Sequence, residues 1–185
     1  DVYKRQIVDK VEKKVDTNHN IIILSDRKTS KKHAPIPILL VCSYVHHSLI
    51  KRNKRSKFGI VIESAEPREP HHFSMLFGYG ASAINPYMVN EIIEYHHKLG
   101  FLNEQKLDKS INNFNKAIAK GILKIMNKIG ISTLHSYRGA QIFEALGLRQ
   151  KFVNKYFNNT PSRIEGAGLY AVSYTHLTLP TSVIV

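Results

Sequence analysis

An α/β fold of repeated strand–helix units around a mostly parallel sheet is what this sequence predicts. Three observations predict it. Short β-branched or apolar runs recur at Ile21–Leu24, Gly59–Ile62, Ala81–Ile84 and Ile131–Leu134. Each of the first three leads into a stretch with helical apolar spacing. Gly, Pro and Asn sit at the junctions between these stretches. Short, closely spaced strands fit a (β/α) barrel-like or incomplete barrel arrangement, with a doubly wound sheet as the alternative.

In chain order, residues 1–20 are polar with widely spaced apolar positions and predict part of a helix and a loop. Ile21-Ile22-Ile23-Leu24 reads as a buried parallel strand that ends at Ser25-Asp26-Arg27. Pro35 and Pro37 delay the next helix, which runs from Ile38 to about Ile50. Gly59–Ile62 is the second strand, closed by Glu63-Ser64 and a loop with Pro67 and Pro70. A short helix spans His71 to Phe77, with Gly78 or Gly80 at its end. Ala81–Ile84 is the third strand. Pro86 suits the first turn of a helix that Gly100 stops after Leu99. A longer helix is predicted from Leu107 to Lys128, with Ile118, Ile122, Ile125 and Ile129 on one face and Gly130 as cap. Ile131–Leu134 would be a fourth strand. Helices follow at about Gly139–Leu146, capped by Gly147, and at Arg149–Phe157.

Composition narrows the function. Hydrophobic residues make up 43% of the 185, enough for one domain with a core. No apolar run approaches the roughly 18 residues that cross a bilayer, so no membrane partner is expected. No secretory signal opens the chain, and a reducing, cytoplasmic setting fits a single cysteine. Starting Asp1-Val2-Tyr3 without Met, the chain reads as an internal piece of a larger enzyme. The formal charge of +13 raises a nucleic-acid binding module as one alternative. Its lysines rarely alternate with aromatics, however, and the densest basic run, Lys51–Lys57, reads as a solvated turn. No nucleic-acid partner is therefore expected.

Candidate chemistry lies in the loops after the strands: Ser25-Asp26-Arg27, Glu63-Ser64-Ala65-Glu66, Asn85-Pro86-Tyr87 and His135-Ser136-Tyr137-Arg138. These loops would converge on one face. Arg27, Glu63, Glu66, Asn85, Tyr137 and Arg138 are the best polar candidates, read mainly as hydrogen bonds that tie loops together. An autonomous (β/α) enzyme working through Glu63–Glu66 and His135–Arg138 is the second alternative. Cys42 lies in an apolar run and reads as a buried small residue. The pairs His46-His47, His71-His72 and His96-His97 place neighbours about 100° apart on a helix, a poor chelate. Phosphate-binding Gly-rich loops, a Gly-x-Ser-x-Gly elbow and His-Glu-x-x-His are all missing from the sequence. No catalytic, cofactor-binding or metal-ligating residue is therefore assigned.

Longer strings carry more information. They include Ala34-Pro35-Ile36-Pro37, His46-His47-Ser48-Leu49-Ile50 and Val61-Ile62-Glu63-Ser64-Ala65-Glu66-Pro67-Arg68-Glu69. Further on come Gly78-Tyr79-Gly80-Ala81, Asn85-Pro86-Tyr87 and Lys128-Ile129-Gly130-Ile131-Ser132-Thr133-Leu134. Ser136-Tyr137-Arg138-Gly139-Ala140-Gln141-Ile142-Phe143-Glu144-Ala145-Leu146-Gly147-Leu148 and Thr160-Pro161-Ser162-Arg163-Ile164 complete the set. In order and length, over about residues 20–169, they resemble the central domain of the glutamate synthase large subunit.

That resemblance implies a larger enzyme that makes glutamate from glutamine and 2-oxoglutarate. An amidotransferase domain with an N-terminal cysteine would release ammonia on one side of this segment. On the other side, an FMN-binding (β/α)₈ domain would use electrons delivered through a [3Fe-4S] cluster from NADPH, NADH or ferredoxin. The central domain would link the two and help wall the ammonia tunnel, without a cofactor or catalytic residue of its own. A small subunit or ferredoxin would be a partner of the parent. Cys42 matches neither the nucleophile nor a cluster ligand of that family. Residues 1–169 are expected to form the domain piece. Tyr170–Val185 departs from the resemblance and reads as a translated sequencing adapter, expected to carry no function and at most a loose strand.

Overall fold

The computed structural model describes residues 2–30, 34–102 and 106–172. Helix α1 (Val2–Asp16) leads into β1 (Ile21–Ser25), α2 (Ile38–Lys51), β2 (Gly59–Glu63), α3 (Pro70–Gly78) and β3 (Ala83–Asn85). Helices α4 (Tyr87–Lys98), α5 (Leu107–Ile129) and α6 (Leu134–Tyr137) follow. Strand β4 (Ala145–Leu148), helix α7 (Gln150–Tyr156) and strand β5 (Ser162–Ala167) complete the order.

The first three strands pair in chain order, β1-β2-β3, and all run parallel. Ile22 faces Ile60 and Leu24 faces Ile62, so alternate side chains of neighbouring strands point to the same side. On that side α1 and α2 supply the cover. Val8, Val11 and Val15 recur at helical spacing on α1 and are buried together with Val41, Val45 and Leu49 of α2. Ile60 and Ile62 are fully enclosed there. The opposite side is largely open among the described residues: Ile21 and Ile23 are 65% and 62% exposed, and Ala83, across half-buried Val61 from Ile23, is exposed. The strand at Ile21–Leu24 is thus buried on one side only, where the sequence predicts burial on both.

Helix α2 also forms the wall of a second cluster. Leu40 turns away from the sheet and packs with Phe152, Val153 and Tyr156 of α7. The Ser43 hydroxyl, fully buried, donates to the Tyr156 carbonyl at 2.6 Å and fixes α7 across α2. Helix α7 connects β4 to β5, which pair parallel as a separate two-stranded sheet. Both sheets are short and open, and they form α/β units rather than a closed barrel.

Three expectations are corrected. Ile131–Leu134 forms no strand: residues 131–133 are irregular and Leu134 opens α6. Thr133 caps α6, its hydroxyl accepting from Ser136 N at 3.2 Å, and a side chain used this way competes with extended pairing. The helix expected over Gly139–Leu146 is replaced by a loop and β4. Gly139 and Gln141 sit at φ 77° and 57°, and two left-handed residues with a single residue between them end any right-handed helix. Ser162–Ala167, for which the sequence predicts no element, pairs with β4 as β5. For the segment read as a foreign tail, residues 170–172 continue a helical turn that begins at Leu169, where a loose strand is expected, and residues 173–185 lie outside the described residues.

Candidate functional site at the carboxyl edge of the sheet

The parallel register brings the ends of β1, β2 and β3 side by side: Ser25 pairs with Glu63, and Glu63 with Asn85. Glu63 is the hub. Its carboxylate accepts from Ser25 Oγ at 2.6 Å, from Arg27 Nε at 2.9 Å and from Asn85 Nδ2 at 3.4 Å. Arg27 reaches on to Glu91 of α4 at 3.2 Å, and its guanidinium lies 4.0 Å over the Tyr87 ring. A parallel set of bonds runs beneath. Asp26 accepts from Ser64 Oγ at 2.5 Å and from the Ala65 amide at 3.1 Å, and Ser64 Oγ accepts from the Glu66 amide at 3.1 Å. Glu66 then accepts the amide of Ile38 at 3.0 Å, occupying one free donor at the start of α2.

The electrostatics follow this geometry. Ser25 and then Arg27 hold the Glu63 carboxyl below the usual range, so it is ionised at neutral pH. Burial pushes Glu66 the other way, above its ordinary value, against the Ile38 amide that favours the anion. Tyr87 is pushed up to about 12, by burial first and then by Asp26 beside its hydroxyl. A catalytic base would need a free lone pair aimed at open space. Here the predicted candidates Arg27, Glu63 and Asn85 bond one another, and Glu66 gives one carboxylate oxygen to the Ile38 amide. Beside the end of β1, a cleft of about 380 Å³ opens between α1 and residues 34–38, lined by Ile7, Leu24, Asp26, Lys28, Pro35 and Val41.

Tyr137 and Arg138 do not join this edge. Loss of the fourth strand leaves Tyr137 at the end of α6 and Arg138 just after it, where the Gly139 amide, 2.9 Å from the Gly78 carbonyl, fastens the chain to α3. Tyr137 is fully buried, while His135 and Ser136 are exposed. The convergence of four loops expected from the sequence is therefore a convergence of three. Arg138 acts electrostatically on Cys42, His46 and Arg55. Those residues lie at the amino edge of the sheet, where Arg55 bonds the carbonyls of Phe58 and Gly80 just before β2 and β3. Sequence reasoning missed this second polar group, because Arg55 sits inside the basic run read as a solvated turn.

The other candidates resolve as follows. Cys42 is fully buried and burial pushes its thiol up to about 12, which removes it as a nucleophile. His46 is buried, whereas His71 and His96 are exposed, and among the described residues no group of three His, Cys, Asp or Glu could hold a metal. In the basic run, Arg52 pairs with Asp9 and Glu12, and Lys54 with Glu12 and Asp16, all on α1. Lys116, Lys120, Lys124 and Lys128 do form an exposed stripe along α5, but Phe114 of that helix packs inward, 6.3 Å from Phe73. No helix among the described residues is long and apolar enough to cross a membrane.

Comparison with known proteins agrees with the strings at the strand ends. The family model described as glutamate synthase central domain matches residues 4–149. The chain is 41% identical over 162 residues to the glutamate synthase [NADPH] large chain of Bacillus subtilis, covering 88% of this chain and 11% of that protein. It is 43% identical over 169 residues to glutamate synthase [NADH] of Schizosaccharomyces pombe, covering 89% and 8%. A ferredoxin-dependent glutamate synthase of Pyropia yezoensis is 38% identical over 176 residues, covering 89% and 11%. The chain thus spans about a tenth of the length of the relatives it matches. It belongs to the glutamate synthase central domain family.

Proposed function

We propose that this chain is the linking segment of a cytoplasmic glutamate synthase, an enzyme that makes glutamate from glutamine and 2-oxoglutarate. Its role is to hold the ammonia-releasing amidotransferase domain and the FMN domain in register and to help wall the passage between them. It performs no bond-making step itself. Electron donors differ among the relatives, which are named for NADPH, NADH and ferredoxin, so the donor is set outside this segment.

The observation that carries the reading is the mutual engagement of Ser25, Arg27, Glu63, Asn85 and Glu91 at the edge where a parallel α/β fold places its chemistry. That edge does not fit the FMN phosphate. It presents the carboxylates of Asp26, Glu63, Glu66 and Glu91, and the Arg27 guanidinium is already taken by Glu63 and Glu91. A [3Fe-4S] cluster does not fit either, because the chain has one cysteine. Those groups belong to the neighbouring parts of the parent.

The test uses the full-length parent carrying Arg27→Met or Glu63→Gln. Glutamine hydrolysis and flavin reduction should persist, while glutamate formed per glutamine hydrolysed falls several-fold. Loss of flavin reduction with coupling intact would contradict a linking role.

A further inference from the structure

Among the described residues, the amino edge of the sheet holds two guanidinium groups with no anion between them. Arg55 is fixed in a single orientation by three neutral acceptors. Its Nε donates to His46 Nδ1 at 2.8 Å, Nη1 to the Phe58 carbonyl at 2.7 Å and Nη2 to the Gly80 carbonyl at 2.7 Å. The backbone is shaped for this contact. Gly80 stands at φ 112°, and a Cβ there would fall 2.3 Å from His46 Nδ1. Arg138 approaches from the end of α6, and its Nε is buried without an acceptor. The groups that act on Arg55, His46 and Cys42 from around the site are Arg55, Arg138, His47, Cys42 and the Ala81 backbone, and none of them is a carboxylate.

This is costly as it stands. Like charges in a desolvated place repel, and a buried N–H without an acceptor loses the hydrogen bond it makes to water. Folded proteins place carboxylates, phosphates or comparable oxyanions against such forks, because two parallel N–H donors match two oxygens. Arg27, Arg52 and Lys54 each meet a carboxylate. Arg55 and Arg138 meet none among the described residues.

We propose that Arg55 and Arg138 form a binding site for a small oxyanion, of carboxylate or phosphate type, at the amino edge of the sheet. Arg55 presents its outer N–H groups, its inner ones being spent on His46, Phe58 and Gly80. Arg138 closes over the anion with Nε and one terminal nitrogen. The anion offsets the repulsion between the two guanidinia and locks α6 against the α2–β2 turn. Its source is either a free ion or a carboxylate side chain from the rest of the parent polypeptide, most of which lies beyond this segment in the relatives.

Inorganic phosphate is the probe. The chain is labelled with nitrogen-15 and titrated with millimolar phosphate, against sodium chloride at matched ionic strength. The Nε–Hε resonances of Arg55 and Arg138 should move in a saturable way with phosphate and not with chloride, and the melting temperature should rise in parallel. Arg138→Gln should be at least as stable as the parent sequence without phosphate, because a repulsion is removed, and should gain nothing from phosphate. Lys124→Gln removes the same charge from an exposed position and should keep the full response. Equal responses to phosphate and chloride, or an Arg138→Gln chain that still responds, would overturn the site. Repeating the titration on the full-length parent separates the two sources. Saturable binding there marks a free anion; its loss, with binding kept in this chain, marks a resident carboxylate.

Discussion

His46 connects burial to acid stability. Burial first, then Arg55, His47 and Arg138, depress its imidazole from the ordinary 6.5 to about 3, so it stays neutral and Nδ1 accepts from Arg55. In the unfolded chain it titrates at its ordinary value. Below that value the unfolded state takes up a proton that the folded state refuses. Stability is therefore fully present above the unfolded value and is lost as pH falls toward 3, by on the order of a few kcal/mol at full extent. Glu66 acts with opposite sign over its own range, since its folded value is raised. His46→Asn keeps an acceptor for Arg55 but cannot titrate. Urea unfolding between pH 7 and pH 4 should show a shallower loss of stability for this variant than for the parent sequence; an unchanged slope would clear His46 of the effect. Gly80 is the companion position. Gly80→Ala places a Cβ against the His46 ring at a left-handed φ, and should cost about 1–3 kcal/mol or more by chemical denaturation.

Helix α1 is held by two kinds of contact, and they can be separated. Its valines are buried against α2, while Asp9, Glu12 and Asp16 meet Arg52 and Lys54 in the turn after α2. These side chains are partly exposed and screened by salt, so the valines carry most of the attachment. Val11→Ala should raise amide exchange along α1 strongly, whereas Arg52→Gln should raise it slightly and only at low salt. A larger effect of Arg52→Gln would reverse that ranking. Elements as far as α5 were legible because β-branched runs and helical spacing agree with the tertiary environment, as at Gly59–Ile62 and around Ile118, although Ile21 and Ile23 lie open on one side of the sheet. Beyond Gly130 they were not. Thr133 takes a capping role that no apolar pattern signals, and Gln141, a residue with no preference for it, adopts a left-handed φ. The strands β4 and β5 are short, irregular in register and set by their packing on α7. The same division holds for the site. Arg27, Glu63 and Asn85 were legible from their place after strands. Arg55 and Arg138 were not, since only the fold carries them from a basic run and a misassigned strand end to one edge.

At the scale of the whole molecule, two parallel sheets share the wall of α2, and one side of the larger sheet shows Ile21 and Ile23 to the surroundings. A parallel sheet is normally covered on both sides. The chain also spans only about a tenth of its relatives' length, and its strand ends are bound to one another. These features fit the proposed role of a segment that positions its neighbours. The most direct test is a titration of the purified chain with FMN, followed by flavin absorption and fluorescence, with glutamine, 2-oxoglutarate and a reductant then added. The account predicts the spectrum of free flavin at every ratio and no glutamate formed. A saturable, stoichiometric spectral shift, or glutamate above the protein-free control, would contradict it.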